Sequence, residues 1–234
     1  MEEKLTAIVI KSADYSDNDK LVTLFSAEKG KIFAAMRGVK KANAKLKFAC
    51  QPFCFAEYVL AEKSGRHTVT GASSIDMFYP LWSSPDGFFA GNAALELVNA
   101  FGGENQPSGE IFLLTLNYFK LVCYEKCDPY LMLIKYIMQL MGIAGYAITL
   151  GGDGDAHFCF ENGYIGKGVS GIAVDHHVAR LFYEVADRDL ERLTGLRADD
   201  RLKFTALKLL KRYAEEKSGL KFKSLEHFAL SGGN

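Results

Sequence analysis

The sequence predicts an α+β chain of two domains, a small closed β-barrel followed by an all-α domain with a Gly-rich insert. Two features predict the first part. Five short runs with strand periodicity fill roughly the first 75 residues, and a long excursion separates the third run from the fourth. A third feature predicts the rest. From Ser73 onward the apolar spacing becomes helical, except between Gly142 and Gly171, where nine of the 22 glycines gather. The expected boundaries are 1–80 for the barrel and 81–234 for the helical domain, with the insert at about 146–175.

Taken in order, Leu5 to Lys11 (LTAIVIK) is β-branched and apolar, and reads as the first strand. Ser12 to Asp19 is a polar turn. Lys20 to Ser26 alternates as the second strand, and the four residues AEKG make a turn of hairpin length. Lys31 to Arg37 is the third strand, with Ile32, Ala34 and Met36 on one side. Cys50 to Glu62 reads as a long fourth strand, with Pro52 marking an edge or bulge. His67 to Ala72 is the fifth. An oligonucleotide-binding (OB) barrel is the commonest closed barrel of this size, and an SH3-like barrel fits the same pattern.

Ser74 to Pro85, with the single tryptophan Trp82, reads as a connector. Helices follow over Asp86–Phe101, with Asp86 as cap, Ser108–Cys127, and Tyr130–Met141, which is apolar all round and belongs at a bundle centre. The insert is expected to be a hairpin or loop. Asp175–Ala186 and Asp200–Glu216 return to helix. The second is amphipathic, with Leu202, Ala206, Leu209, Leu210 and Tyr213 inward and Arg201, Lys208, Lys211 and Arg212 outward. Lys221 to Leu230 is expected to dock the C-terminus.

Charge is unevenly spread. Lys+Arg and Asp+Glu balance over the chain, 28 against 28, but residues 1–80 hold 12 against 9 and residues 195–234 hold 9 against 5. Lys29 to Lys47 holds seven basic residues and no acidic one. It reads as a strand running out into a basic, poorly packed loop. Such a loop beside an exposed aromatic suits a phosphate backbone and unstacked bases. The plainer reading is a solvated Lys-rich surface.

Other chemistry is sparse. Five cysteines at these spacings make no disulfide framework, and Cys50/Cys54 and Cys123/Cys127 read as buried thiols. GGDGD at 151–155 lacks the phosphate-loop and EF-hand patterns. His157, Cys159, His176 and His177 lack zinc spacing, which leaves a metal-dependent hydrolase on His157, Cys159 and His176 as an alternative reading. No nucleophile elbow is present, so no catalytic residue is expected. The N-terminus shows no signal peptide and no segment reads as a membrane span, so a cytoplasmic protein is expected.

The first 60 residues carry a specific pattern in Asp19, Val22, Thr23, Leu24, Phe25, Gly30, Lys31, Ala35, Arg37, Gly38 and Lys40. With the helical middle and the Leu209–Tyr213 to Leu225 tail, this resembles the RecO family of bacterial recombination mediators. The resemblance implies an OB-fold domain, a helical domain and a non-enzymatic protein at the nucleoid. It implies binding to single- and double-stranded DNA, strand annealing, and loading of recombinase on DNA coated by single-stranded DNA-binding protein. It also implies that protein and RecR as partners. A non-catalytic protein–protein assembly module is the other alternative. Many members carry a four-cysteine zinc module where this chain has only Cys159, so no metal or other cofactor is expected. The expected DNA contacts are Lys31, Arg37, Lys40, Lys41, Lys45 and Lys47, with Phe33, Phe53 or Tyr58 stacking on bases.

Overall fold

The computed structural model describes residues 2–151 and 156–231. Its chain contacts group into two units, one of residues 1–79 with 102–113 and the other of residues 80–101 with 114–234.

In the first unit, β1 (Glu2–Asp14), β2 (Lys20–Ser26), β3 (Gly30–Met36), β4 (Phe55–Lys63) and β5 (Arg66–Asp76) close into a barrel in the order β1-β2-β3-β5-β4. Strands β3 and β5 pair in parallel at Ala34–His67 and Ala35–Thr68, and β4 returns antiparallel to β1. This is the OB order, and the parallel β3–β5 pair separates it from a simple meander. Side chains alternate across the pleat, so Val22 and Leu24, Ile32, Ala34 and Met36, and Ala56, Tyr58 and Leu60 share the interior. The outer face carries a covered apolar patch. Ile8 lies in register with Phe25 on one side and Phe55 on the other. Phe112 covers it, with its ring 6.2 Å from Phe25 and 6.1 Å from Phe55.

The segment that brings Phe112 there is stitched to the barrel by backbone bonds. Lys31 N donates to Gly103 O at 2.7 Å, Asn105 N to Lys31 O at 3.2 Å, and Ser108 N to Ala27 O at 2.9 Å. Gly30 permits this approach. Its φ is +61°, and a Cβ there would run into the carbonyl oxygens of Gly103 and Gln106.

The fourth strand starts at Phe55, five residues later than its sequence suggests, because Phe53 adopts a left-handed φ of 69° that breaks the extended run. Cys50 therefore lies on a short 3-10 turn, Phe48–Cys50, rather than on a strand.

The second unit is helical: α1 (Pro85–Phe101), most of α2 (Gly109–Tyr124), α3 (Pro129–Ile143), α4 (His176–Ala186), α5 (Asp200–Ser218) and α6 (Lys223–Ser231). Helix α3 is central, and Leu131 to Ile137 are all buried. Asp128 caps it, accepting from Tyr130 N and Leu131 N, with Pro129 at the first helical position. The cap of α1 is Ser84, whose hydroxyl accepts from Gly87 N at 3.0 Å, and Asp86 sits inside the first turn. The cap of α5 is Asp199, which accepts from Arg201 N at 2.8 Å. On α5 the inward residues Ala206, Leu210 and Tyr213 are buried as expected, while Leu202 and Leu209 are half-buried.

The Gly-rich insert forms a small sheet, β6 (Thr149–Gly151), β8 (Tyr164–Gly166), β7 (Ala156–Cys159) and β9 (Ile172–Val174), in that spatial order. Most of the GGDGD run, residues 152–155, lies outside the described residues. Among the described residues no helix is long and apolar enough to cross a membrane.

Candidate nucleic-acid interface

At one end of the barrel, the β1–β2 turn meets the segment between β3 and β4. Gly38 follows β3 with φ +64°, and its N–H donates to Asp19 Oδ1 at 2.7 Å. Lys40 N donates to Asn18 O at 3.0 Å. The Asp19 carboxyl is held below the usual range, chiefly by the Gly38 N–H and next by the Ser16 hydroxyl, with Arg37 and Lys41 adding attraction. Asp14 accepts from Lys40 at 2.9 Å and lies 3.3 Å from Lys20. The bonds to Asn18 and Asp19 make the turn a clamp that positions the start of the basic segment.

That segment is well packed, contrary to the loose loop its composition suggests. Tight turns run along it through Lys41 N to Gly38 O, Ala44 N to Lys41 O, Lys47 N to Ala44 O and Ala49 N to Leu46 O. Val39 and, just beyond Lys47, Ala49 and Cys50 are buried in the barrel core, with Leu46 and Phe48 packed against it. The Tyr58 hydroxyl donates to Ala49 O at 3.1 Å from inside the barrel. Apolar residues anchor the segment inward while its cations point out. Arg37, Lys40, Lys41, Lys45 and Lys47 are all exposed.

Lys31 stands apart from these five. It is half-buried at the opposite end of β3 from Arg37, six residues or roughly 20 Å along the strand. The outward face of β3 still joins them, because Lys31, Phe33 and Arg37 share one parity. Of the three aromatics considered for stacking, only Phe33 is available, at 44% exposed. Phe53 and Tyr58 are fully buried and belong to the core. Tyr58 shares its parity with Ala56 and Leu60, opposite Glu57, and that pattern could have placed it inside. Tyr15, on the β1–β2 turn, is 63% exposed, and sequence reading passed over it.

Among the described residues the other constellations do not form sites. Among the described residues, no three His, Cys, Asp or Glu side chains gather to hold a metal, so the hydrolase set of His157, Cys159 and His176 has no geometry behind it. The small sheet is built on rings. Phe158 stacks on Phe160 at 4.4 Å, Tyr213 lies 5.3 Å from Phe158, and the Arg212 guanidinium sits over Phe160 at 4.9 Å. This donor set does not fit a four-cysteine zinc centre. Cys50 and Cys54 are buried, but Cys123 and Cys127 are only half-buried.

A feature missed from the sequence lies in the helical unit. Lys203 is buried on α5 between Asp128 at 2.5 Å and Asp200 at 2.6 Å, beneath the Tyr130 ring. Burial pulls its pKa down, but the two carboxylates outweigh burial and the net shift is upward. The signal was available, because Lys203 has the same helical spacing as the buried Ala206, Leu207 and Leu210.

Comparison with known proteins completes the picture. Residues 1–78 match the family model described as Recombination protein O N terminal, and residues 83–226 match Recombination protein O C terminal. The DNA repair protein RecO of Bacillus subtilis (strain 168) is 30% identical over 239 residues, covering 96% of this chain and 92% of that protein. The DNA repair protein RecO of Desulfitobacterium hafniense (strain DSM 10664 / DCB-2) is 39% identical over 140 residues, covering 60% of this chain and 50% of that protein. The Clostridium novyi (strain NT) protein of the same name is 31% identical over 143 residues, covering 61% and 56%. The matched stretch thus spans about half the length of these last two relatives.

Proposed function

Since the chain belongs to the RecO family of DNA repair proteins through both its N- and C-terminal parts, we propose that it binds DNA strands on the barrel and anneals them. The observation that carries this reading is the anchored basic segment. Five exposed cations, Arg37, Lys40, Lys41, Lys45 and Lys47, stand on one clamped, core-anchored stretch at the end of an OB barrel. Phe33 lies on the adjoining strand face, with Lys31 at the far end of the same track. A strand following β3 meets phosphate-binding cations at both ends and a stacking ring between them. OB barrels bind strands in this way, with little base readout.

Annealing needs no bond to be made or broken. Cations that neutralise two strands lower their mutual repulsion, and exposed, exchangeable contacts let the bases search. The protein therefore acts as a non-enzymatic mediator at the nucleoid. It helps load recombinase on DNA coated by single-stranded DNA-binding protein, with that protein and RecR as partners.

Fluorescence anisotropy with a single-stranded oligonucleotide at two salt concentrations tests the interface. Wild-type affinity is expected to fall with salt, with a log–log slope of about −0.7 per phosphate engaged. The variant Arg37→Glu/Lys40→Glu/Lys41→Glu is expected to lose at least about tenfold in affinity, uniformly across sequences, because phosphate contacts carry no base information. Binding untouched by these reversals removes the segment from the interface.

A further inference from the structure

Asp14 occupies an unusual position in this interface. It ends β1, with one carboxylate oxygen facing Lys20 at 3.3 Å and the other facing Lys40 at 2.9 Å. The carboxylate is 63% exposed, and the two lysine side chains are 27% and 31% exposed. Two oxygens carrying one shared negative charge, forked between two ammonium groups at a solvent-open loop junction, reproduce what a phosphodiester presents with its two non-bridging oxygens. Lys20 lies outside the basic segment, on β2, directly opposite Asp14 in the β1–β2 register.

We propose that Asp14 is a resident stand-in for phosphate, and that a DNA phosphodiester displaces it to bind between Lys20 and Lys40. The inference rests on the barrel-end interface proposed above and adds to it a specific phosphate seat and a residue that competes for it. The exchange is cheap in both directions. Exposed ion pairs contribute little, so Asp14 yields to a phosphate held by neighbouring contacts and reclaims the lysines when the strand leaves. The clamp does not depend on Asp14. The Gly38 N–H bond to Asp19 and the Lys40 N–H bond to Asn18 fix the backbone independently. Asp14 therefore weakens binding at this seat and keeps contacts mobile, as strand search requires.

The test uses the full chain and a single-stranded oligonucleotide, with affinity measured across a salt series. Asp14→Asn frees both lysines without shortening the side chain. It is expected to bind about three- to tenfold tighter at low salt, taking each exposed pair as worth a few-fold. Its log–log salt slope is expected to stay that of wild type, since the same phosphate is engaged once the carboxylate has yielded. Asp14→Glu keeps the competitor and should stay near wild type. The decisive control is the background Lys20→Gln/Lys40→Gln. There the Asp14→Asn gain should vanish, since the seat is gone. A gain that persists in that background reflects the removal of one negative charge from the surface and overturns the proposal, as does Asp14→Asn binding no tighter than wild type. Matching thermal melts for the variants show that the fold is intact. The two failures are distinguishable: wild-type protein that ignores DNA at every salt concentration refutes the interface itself, whereas salt-dependent binding indifferent to Asp14 refutes only the seat.

Discussion

The barrel end and the helical unit each contain a three-membered lysine–carboxylate cluster, and the two are mirror images in charge. At the barrel end one carboxylate, Asp14, lies between two lysines, Lys20 and Lys40. In the helical unit one lysine, Lys203, lies between two carboxylates, Asp128 and Asp200. The first leaves a surplus positive charge in water. The second is built around a lysine side chain that is 5% exposed. Residue type does not separate the two clusters; burial does. In water an ion pair is an exchangeable contact of small net worth. Out of water, either partner left alone is a large liability, so the pair acts as a structural rivet. The same chemistry therefore offers a ligand seat in one place and holds the fold in the other.

The largest effect that sharpens this contrast is Lys203→Ala. It leaves Asp128, which is also the cap of α3, without its cation. Removing one partner of a buried pair is expected to cost about 3 kcal/mol, read as a lower urea midpoint. DNA affinity of the folded variant should not change. A midpoint equal to wild type would dissolve the distinction between the two clusters.

A half-buried carboxylate in the helical unit gives a smaller effect with a pH signature. Glu96 on α1 reaches Ser224 at the start of α6, accepting from its backbone N–H at 3.1 Å and from its hydroxyl at 3.1 Å. It serves as a cap lent by another helix, and Phe222, Leu225 and Phe228 anchor the docked segment. Burial raises the Glu96 pKa above its ordinary 4.5, and the Ser224 donors offset only part of the rise. The folded state therefore binds this proton more tightly than the unfolded chain does. The associated stability is fully present below pH 4.5 and is lost as pH rises through the folded value. Glu96→Ala is expected to cost about 1 kcal/mol at neutral pH, the worth of a lost cap. Glu96→Gln keeps an acceptor, and wild type should gain on it as pH falls from 7 toward 4.5. Thermal melts over that range measure both, and parallel curves for wild type and Glu96→Gln would remove the pH assignment.

Much of the barrel was legible because a closed sheet with one apolar face leaves a period of two. Lys20–Ser26 falls where alternation puts it, and the β3 boundaries differ by one residue at each end. What stayed hidden was set by contacts without a period. The left-handed turn at Phe53 moved the start of β4, and the apolar anchors of the basic segment are scattered among lysines at irregular intervals. The composition of that segment announced its cations but not its packing. The seat at Asp14 was equally hidden, since nothing in a linear chain says that residues 14, 20 and 40 meet. Lys203 was readable in principle, because a lysine on the apolar stripe of an amphipathic helix requires a buried partner.

Lys40→Gln is the smallest perturbation and the direct counterpart of Lys203→Ala. It removes a cation that, like Lys203, is paired with a carboxylate. Because the pair stands in water, and because the Lys40 backbone is held by Asn18 whatever the side chain, stability should change by less than about 0.5 kcal/mol. The effect should appear instead in DNA binding, as a salt slope shallower by about 0.7 for one phosphate lost. Loss of stability on the scale of Lys203→Ala would mean that the Asp14–Lys40 pair braces the clamp. In that case the carboxylate is not free to yield to a strand, and the barrel end would have to bind DNA through Arg37, Lys41, Lys45 and Lys47 alone.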